Sequence, residues 1–151
     1  MLDRFNRRIN YLRISVTDRC NQRCYYCMPK EGVNFINHED ILSYENIAEI
    51  TAKLVELGVD KVRITGGEPL VRRGIISLVS TLSKIGGIKD LSMTTNGVLL
   101  SKYAEDLKKN GLTRLNVSLD SVNPVDYKKI TNSDNLKEVL DGLQAAVKAG
   151  F

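Results

Sequence analysis

Four short runs rich in apolar and β-branched residues punctuate the chain: YLRISVT (11–17), KVRITG (61–66), DLSMTTN (90–96) and RLNVSLD (114–120). In YLRIS the alternation puts Leu12 and Ile14 on one face and Tyr11, Arg13 and Ser15 on the other. In KVRIT, Arg63 alternates likewise against Val62 and Ile64. Between these runs the apolar period lengthens to that of a helix. In SYENIAEITAKLVELG, Ser43 stands where an N-cap belongs, Ile47, Ile50, Leu54 and Leu57 fall at helical spacing, and Gly58 closes the run. Ile75, Leu78, Val79 and Leu82 make a second stripe, ended by Gly86 and Gly87. Tyr103, Leu107 and Gly111 repeat the pattern briefly, and Leu136, Val139, Leu140, Leu143 and Val147 make a longer stripe that runs into Gly150. Strand then helix, four times over, predicts an α/β fold with a parallel sheet and right-handed crossovers, about four βα units of a barrel of the TIM type. The weak repeat is that of a βα unit, not of a solenoid.

Composition narrows the class without deciding it. The chain has 151 residues, 42% hydrophobic and 26% charged, ordinary values for a globular domain with a sizeable core. The first ten residues, MLDRFNRRIN, mix both charge signs and hold no apolar core of a signal peptide, and no apolar run is long enough to span a bilayer. The expectation is a cytoplasmic protein without a membrane partner, in a compartment where clustered cysteines bind metal or catalyse more often than they pair. A net charge of +4 suits a small anionic ligand and falls short of a nucleic-acid footprint.

Each strand run finishes in small or polar groups: Thr17-Asp18, Thr65-Gly66-Gly67-Glu68, Thr94-Thr95-Asn96-Gly97 and Ser118-Leu119-Asp120. In parallel α/β folds ligands sit at the carboxyl ends of the strands, so these ends mark one candidate site. Some of these residues are accounted for by capping the helices that follow. The glycine pair before Glu68-Pro69 is bare backbone that a ligand could approach closely. All three cysteines follow the first strand, spaced Cys20-x3-Cys24-x2-Cys27. Three thiolates on a [4Fe–4S] cluster leave one iron without a protein ligand, open to a substrate or cofactor. A Cys3His zinc site would need His38, the one histidine, eleven positions beyond Cys27. A disulfide framework sits poorly with an odd count, and inert buried thiols sit poorly with such tight clustering.

CxxxCxxC with Tyr26 before the last cysteine, followed one strand later by GGEP, resembles the radical S-adenosylmethionine superfamily. Within it, LRISVTDRCNQRCYYCMP, KVRITGGEPLVRRG, MTTNG and LNVSLDS are similar to the GTP 3′,8-cyclase family of molybdenum-cofactor (molybdopterin) biosynthesis, over nearly the whole chain. That resemblance implies an enzyme, a lyase-type GTP cyclase, with a [4Fe–4S] cluster on Cys20, Cys24 and Cys27 and no side-chain acid or base doing the central chemistry. It further implies that Tyr26, Gly67 and Ser118 contact S-adenosylmethionine and that Arg13, Arg63 and Thr94 contact GTP. Reductive cleavage of S-adenosylmethionine would give a 5′-deoxyadenosyl radical that starts cyclisation of GTP to 3′,8-cyclo-7,8-dihydro-GTP. The implied partners are GTP and a reduced electron-donor protein, with a homodimer as the assembly to test.

The residues are compatible with those roles. An inward arginine needs a partner, and a triphosphate supplies one that suits the planar guanidinium fork. The competing partner is an internal carboxylate, Asp18, Glu68 or Asp120. No GxxxxGK[ST] loop is present, so GTP would be held by side chains, as a carbon substrate would be. Arg72, Arg73, Lys108, Lys109, Lys128 and Lys129 read as solvated surface, with Arg72 and Arg73 near enough the open face to meet phosphate. Two other functions remain in view, a radical enzyme that modifies peptides and a non-catalytic zinc module.

The resemblance also carries a departure. Family members are about twice as long and hold a second, C-terminal cluster and a glycine-rich tail. Residues 1–151 therefore read as the N-terminal part of a partial barrel, with the remaining strands and the second-cluster domain absent and one sheet edge open. A fragment, a truncated gene product and a shorter divergent protein would each account for this, and a fragment is the expectation. Alone, such a chain is expected not to complete the cyclisation.

Overall fold

The computed structural model describes residues 2–28 and 32–151, so Pro29 and Lys30 of the CMPK stretch lie outside the described residues. Strands β1 (Tyr11–Ser15), β2 (Lys61–Thr65), β3 (Asp90–Thr95) and β4 (Arg114–Val117) pair in chain order, every pair parallel. Parallel neighbours cannot be joined by a tight turn, so the chain crosses between them through α1 (Tyr44–Glu56), α2 (Ile75–Ser83) and α3 (Leu100–Lys109). Helices α4 (Pro124–Thr131) and α5 (Leu136–Lys148) follow β4. The strand–helix alternation is thus the one the apolar pattern predicts, with α4 added.

Register gives the sheet two unlike faces. Ile14, Ile64, Met93 and Leu115 stand in one row across the four strands, and Leu12, Val62 and Leu91 in another. These rows meet the helices: Val62, Ile64, Leu91 and Met93 are buried with Leu78 and Val79 of α2 and Leu100 and Leu107 of α3. Burying each such side chain stabilises the fold by roughly 1.5–3 kcal/mol. The row between them is polar and charged, Arg13 beside Arg63, Ser92 and Arg114. It lies on the opposite, open face.

The helices confirm the expected elements more closely than the expected faces. Ser43 caps α1, its hydroxyl accepting the amide of Asn46 at 3.1 Å. Yet Ile50 and Leu57 are exposed, and Thr51 is buried in their stead, its hydroxyl donating to the Ile47 carbonyl at 2.7 Å. The buried stripe of α1 is narrower than the apolar one, because a single sheet face covers it. In α5 the same rotation buries Leu136, Val139, Gly142 and Ala146 while Val147 points outward. The α2 stripe of Ile75, Leu78, Val79 and Leu82 is buried in full.

A polar latch ties the amino ends of the strands. The Asp60 carboxylate accepts from the Asn10 side chain at 2.6 Å and from Arg8 at 3.1 Å, with Lys89 at 3.7 Å. Its carbonyl accepts the amides of Lys89 and Asp90 ahead of β3. Burial pushes this carboxyl up, but the Asn10 bond and the Arg8, Lys89 and Lys61 charges together hold it below the ordinary aspartate range. Among the described residues no helix is long and apolar enough to cross a membrane.

Candidate functional site

The site begins where β1 ends. Val16 prolongs the ladder by one bond, its amide donating to the Thr65 carbonyl at 2.9 Å, and residues 17–19 then lie along the glycine turn that follows β2. The amide of Gly67 donates to the Thr17 carbonyl at 2.7 Å, and that of Glu68 to the Arg19 carbonyl at 2.8 Å. A Cβ on Gly67 would stand 2.5 Å from the Arg19 carbonyl oxygen, and one on Gly66 the same distance from that of Thr17. The two glycines are therefore required first by the chain's own backbone, which passes against them just before Cys20. Gly67 keeps its other side open to solvent.

Glu68 is not part of an exposed turn. Its carboxylate is buried and accepts the Leu70 amide at 3.0 Å, the Thr95 hydroxyl at 2.8 Å and the Asn96 amide at 2.7 Å. Burial pushes its carboxyl above the usual glutamate range against the pull of those three donors. It is a strut between the loop after β2 and the end of β3.

The cysteine loop rests on α4, the helix the apolar pattern does not reveal. The amides of Arg23 and Tyr25 donate to the carbonyls of Thr131 and Ile130 at 3.1 and 3.0 Å, and the Asn132 side chain donates to the Arg23 carbonyl at 2.6 Å. Gln22 is buried, and its amide donates to the hydroxyl of the buried Tyr127. The signals for α4 are polar: Asn123 caps it through the amides of Val125 and Asp126, with Pro124 at the first position and Asn132 closing it in the left-handed region.

Cys20, Cys24, Cys27 and Gly67 line one cavity of about 350 Å³, with Met28 and Ile36 among its apolar walls. All three thiols are free. Burial pushes the Cys20 and Cys24 thiols up from their ordinary value, so ligation at neutral pH displaces protons. Among the described residues no three cysteine, histidine or carboxylate groups converge on a point where a single ion could be held. The three thiols do line one cavity, and a [4Fe–4S] cluster is held by thiolates that each bind a separate iron. His38 lies in a short 3-10 turn (His38–Asp40) and faces a different cavity with Arg19 and Arg73, so it does not complete a Cys3His set with these thiols.

The other anticipated residues stand around this cavity rather than in its walls. The Tyr26 hydroxyl donates to the Asp120 carboxylate at 3.1 Å, joining the cysteine loop to the segment after β4. Burial of that hydroxyl, with the neighbouring Cys24 and Asp120, keeps the phenol protonated far above neutral pH. Ser118 is exposed just beyond β4, its amide held by the Thr95 carbonyl at 2.9 Å. Arg13, Arg63 and Thr94 share the polar face of the sheet.

Neither Arg13 nor Arg63 has an ion-pair partner among the described residues. Arg13 reaches the Thr65 hydroxyl at 3.4 Å, and Arg63 the Ser92 hydroxyl at 3.4 Å, with its guanidinium 5.6 Å from the Tyr11 ring. The carboxylates that could have paired with them are engaged elsewhere: Asp18 by the Ile36 amide, Glu68 in its strut and Asp120 by Tyr26. Arg13 is exposed and Arg63 half-buried, so the open face spares both the full cost of an unpaired buried charge. Arg72 is spent on the carbonyls of Val16 and Leu42, both at 2.7 Å.

Fold and loop together define a class. Residues 14–151 match the Radical SAM superfamily, and the chain belongs to that superfamily, whose members use a [4Fe–4S] cluster and S-adenosylmethionine. It is 55% identical over 151 residues to the GTP 3′,8-cyclase of Peptoclostridium acidaminophilum and 54% identical to that of Petrotoga mobilis. All of this chain is covered in both comparisons, but 46% and 47% of the relatives, so it spans about half the length of the curated relatives it matches. Among solved structures, Streptococcus suis SuiB bound to S-adenosylmethionine superposes on 93% of this chain and 32% of its own, with a TM-score of 0.74 at 19% identity. Methylornithine synthase superposes on 93% of this chain and 42% of its own, with a TM-score of 0.73 at 16% identity. At such identities the likeness is one of fold.

Proposed function

We propose that this chain carries the cluster and S-adenosylmethionine site of a GTP 3′,8-cyclase, and that residues 1–151 are the N-terminal part of that enzyme's barrel. The observation that carries the reading is the cavity in which Cys20, Cys24, Cys27 and Gly67 meet, beside a sheet face bearing two arginines that have no carboxylate partner among the described residues. The identity to named cyclases supports the substrate. Cys20, Cys24 and Cys27 would hold the cluster. Held there, such a cluster would supply the one-electron reductive cleavage of S-adenosylmethionine with which the radical cyclisation of GTP would begin.

The chain's own residues bind and orient. Gly67 offers backbone at the cavity wall to the methionine moiety, while Tyr26 and Ser118 flank the place for the nucleoside. Arg13 and Arg63, side by side in register, give two forked cations to phosphate oxygens, and Thr94 adds a hydroxyl on the same face. Two like charges held side by side favour an anion over a neutral ligand. The electron donor is a reduced protein of the same cytoplasmic compartment.

Anaerobic reconstitution tests this. About four irons with matching sulfide per chain, and a paramagnetic resonance spectrum that moves when S-adenosylmethionine is added, are expected; replacing any one cysteine by serine should abolish both. Arg13→Ala and Arg63→Ala should each weaken GTP binding at least tenfold and leave the S-adenosylmethionine effect intact. Zinc in place of iron overturns the cluster reading. Arginine variants that leave GTP binding unchanged overturn the substrate and favour a peptide-modifying radical enzyme.

A further inference from the structure

Asn96, at the carboxyl end of β3, is held in a way that capping alone does not explain. Its side-chain oxygen accepts the amide of Val98 at 3.1 Å, an ordinary turn bond ahead of α3. That bond orients the group, because a flipped amide would set its NH2 against the Val98 N–H. The NH2 is thereby aimed the other way, at the Asn21 side-chain oxygen, 2.7 Å away, and at Cys20 Sγ, 3.7 Å away. Its backbone amide is fixed in turn by Glu68 at 2.7 Å. Asn96 is buried, so water competes little for these bonds. Cys20 Sγ also accepts the Gln22 amide at 3.4 Å. The thiol nearest the glycine turn is thus the one that gathers amide donors.

We infer that Asn96 is a positioning residue for the redox chemistry of this site: its amide N–H to Cys20 Sγ raises the reduction potential of the cluster. The inference rests on the cluster reading above. One-electron reduction adds a negative charge, with no proton, that spreads onto the ligand sulfurs, and a fixed N–H dipole stabilises the reduced form more than the oxidised one. Glu68 serves the same end from behind, since it sets the backbone from which Asn96 reaches. Strand β3 would then contribute to the cluster across 76 residues of sequence, through a bond that no cysteine spacing announces.

The test uses the reconstituted holoprotein without S-adenosylmethionine, titrated with dithionite and followed by paramagnetic resonance. Asn96→Ala removes the donor. Asn96→Asp keeps an acceptor for Val98, removes the donor and adds repulsion. The expected order of midpoint potentials is parent, then alanine, then aspartate, each more negative than the last. For alanine the ratio of reduced to oxidised cluster at a fixed potential should fall about tenfold, equivalent to about 59 mV for a one-electron couple. Parent protein grown with asparagine labelled with 15N in the side-chain amide should in addition show a 15N coupling to the reduced cluster, lost in the variants. An alanine variant with full iron and the parent's midpoint overturns the inference. So does the lack of any 15N coupling in the parent, which needs no variant to fold. A parent protein that binds no iron fails at the earlier step, the cluster itself.

Discussion

Gly67 shows how a motif residue can serve the chain before it serves a ligand. Its hydrogen atom occupies the space where a Cβ would meet the Arg19 carbonyl at 2.5 Å and the Asp18 carbonyl at 2.8 Å, both backbone atoms that cannot swing aside. Gly67→Ala is therefore expected to cost about 1–3 kcal/mol in urea denaturation through overpacking, and to lower iron retention because the displaced segment leads into Cys20. The arginines should behave in the opposite sense. With no carboxylate to orphan among the described residues, Arg13→Ala should change stability by no more than about 0.5 kcal/mol while GTP binding weakens at least tenfold. Together the two variants separate folding from recognition within one site.

The cysteine loop holds its shape by leaning on α4. Two backbone bonds, the Asn132 side chain and the Gln22–Tyr127 pair join them, and Gln22 in turn stands 3.9 Å from Cys24 Sγ. Tyr127→Phe removes an acceptor from a buried amide and should cost about 1–3 kcal/mol. Hydrogen exchange at the Arg23 and Tyr25 amides should quicken in that variant more than exchange in β2 or β3. At the other end of the strands, Asp60 ties β1, β2 and β3 while it is ionised. Because its folded-state pKa lies below the unfolded value of 3.8, its contribution is present above that pH and is lost as pH falls through the folded value. Asp60→Asn should therefore melt lower than the parent at pH 7, with the gap closing below about pH 3.8. Melting temperatures of both proteins from pH 7 to pH 2 would show this.

Across the molecule, the apolar core and the two arginines proposed to meet substrate fall on opposite faces of one sheet. The helix face holds Leu78, Leu82 and Met93 with no exposed surface, and Leu82→Ala should cost about 2–5 kcal/mol, with every spectroscopic probe lost in one transition. The reconstituted site should nonetheless keep its iron below the lowered midpoint, since no cavity wall of the cysteine site is built from Leu82. Parallel pairing allows this division, because alternation sends Val62 and Ile64 to the helices and Arg63 to the open face from one five-residue strand.

What could be read from residue order was whatever depends on local period and spacing. Runs of apolar and β-branched residues located all four strands, and alternation within the first two placed Arg13 and Arg63 on the face away from the core; the cysteine spacing and the GGEP turn marked the candidate site. Helix faces were legible only in part, because an apolar residue such as Ile50 is buried only if another element comes to cover it. Helix α4 was hidden because it packs through Tyr127 and polar caps rather than an apolar stripe. Long-range pairings carry no local signature at all. That Glu68 would meet Asn96, that Asn96 would reach Cys20 and that Asp60 would gather Asn10 and Arg8 follow from strand register and loop docking. Those contacts exist once the sheet has formed, since a hydrogen bond depends on separation in space and the sequence records separation along the chain.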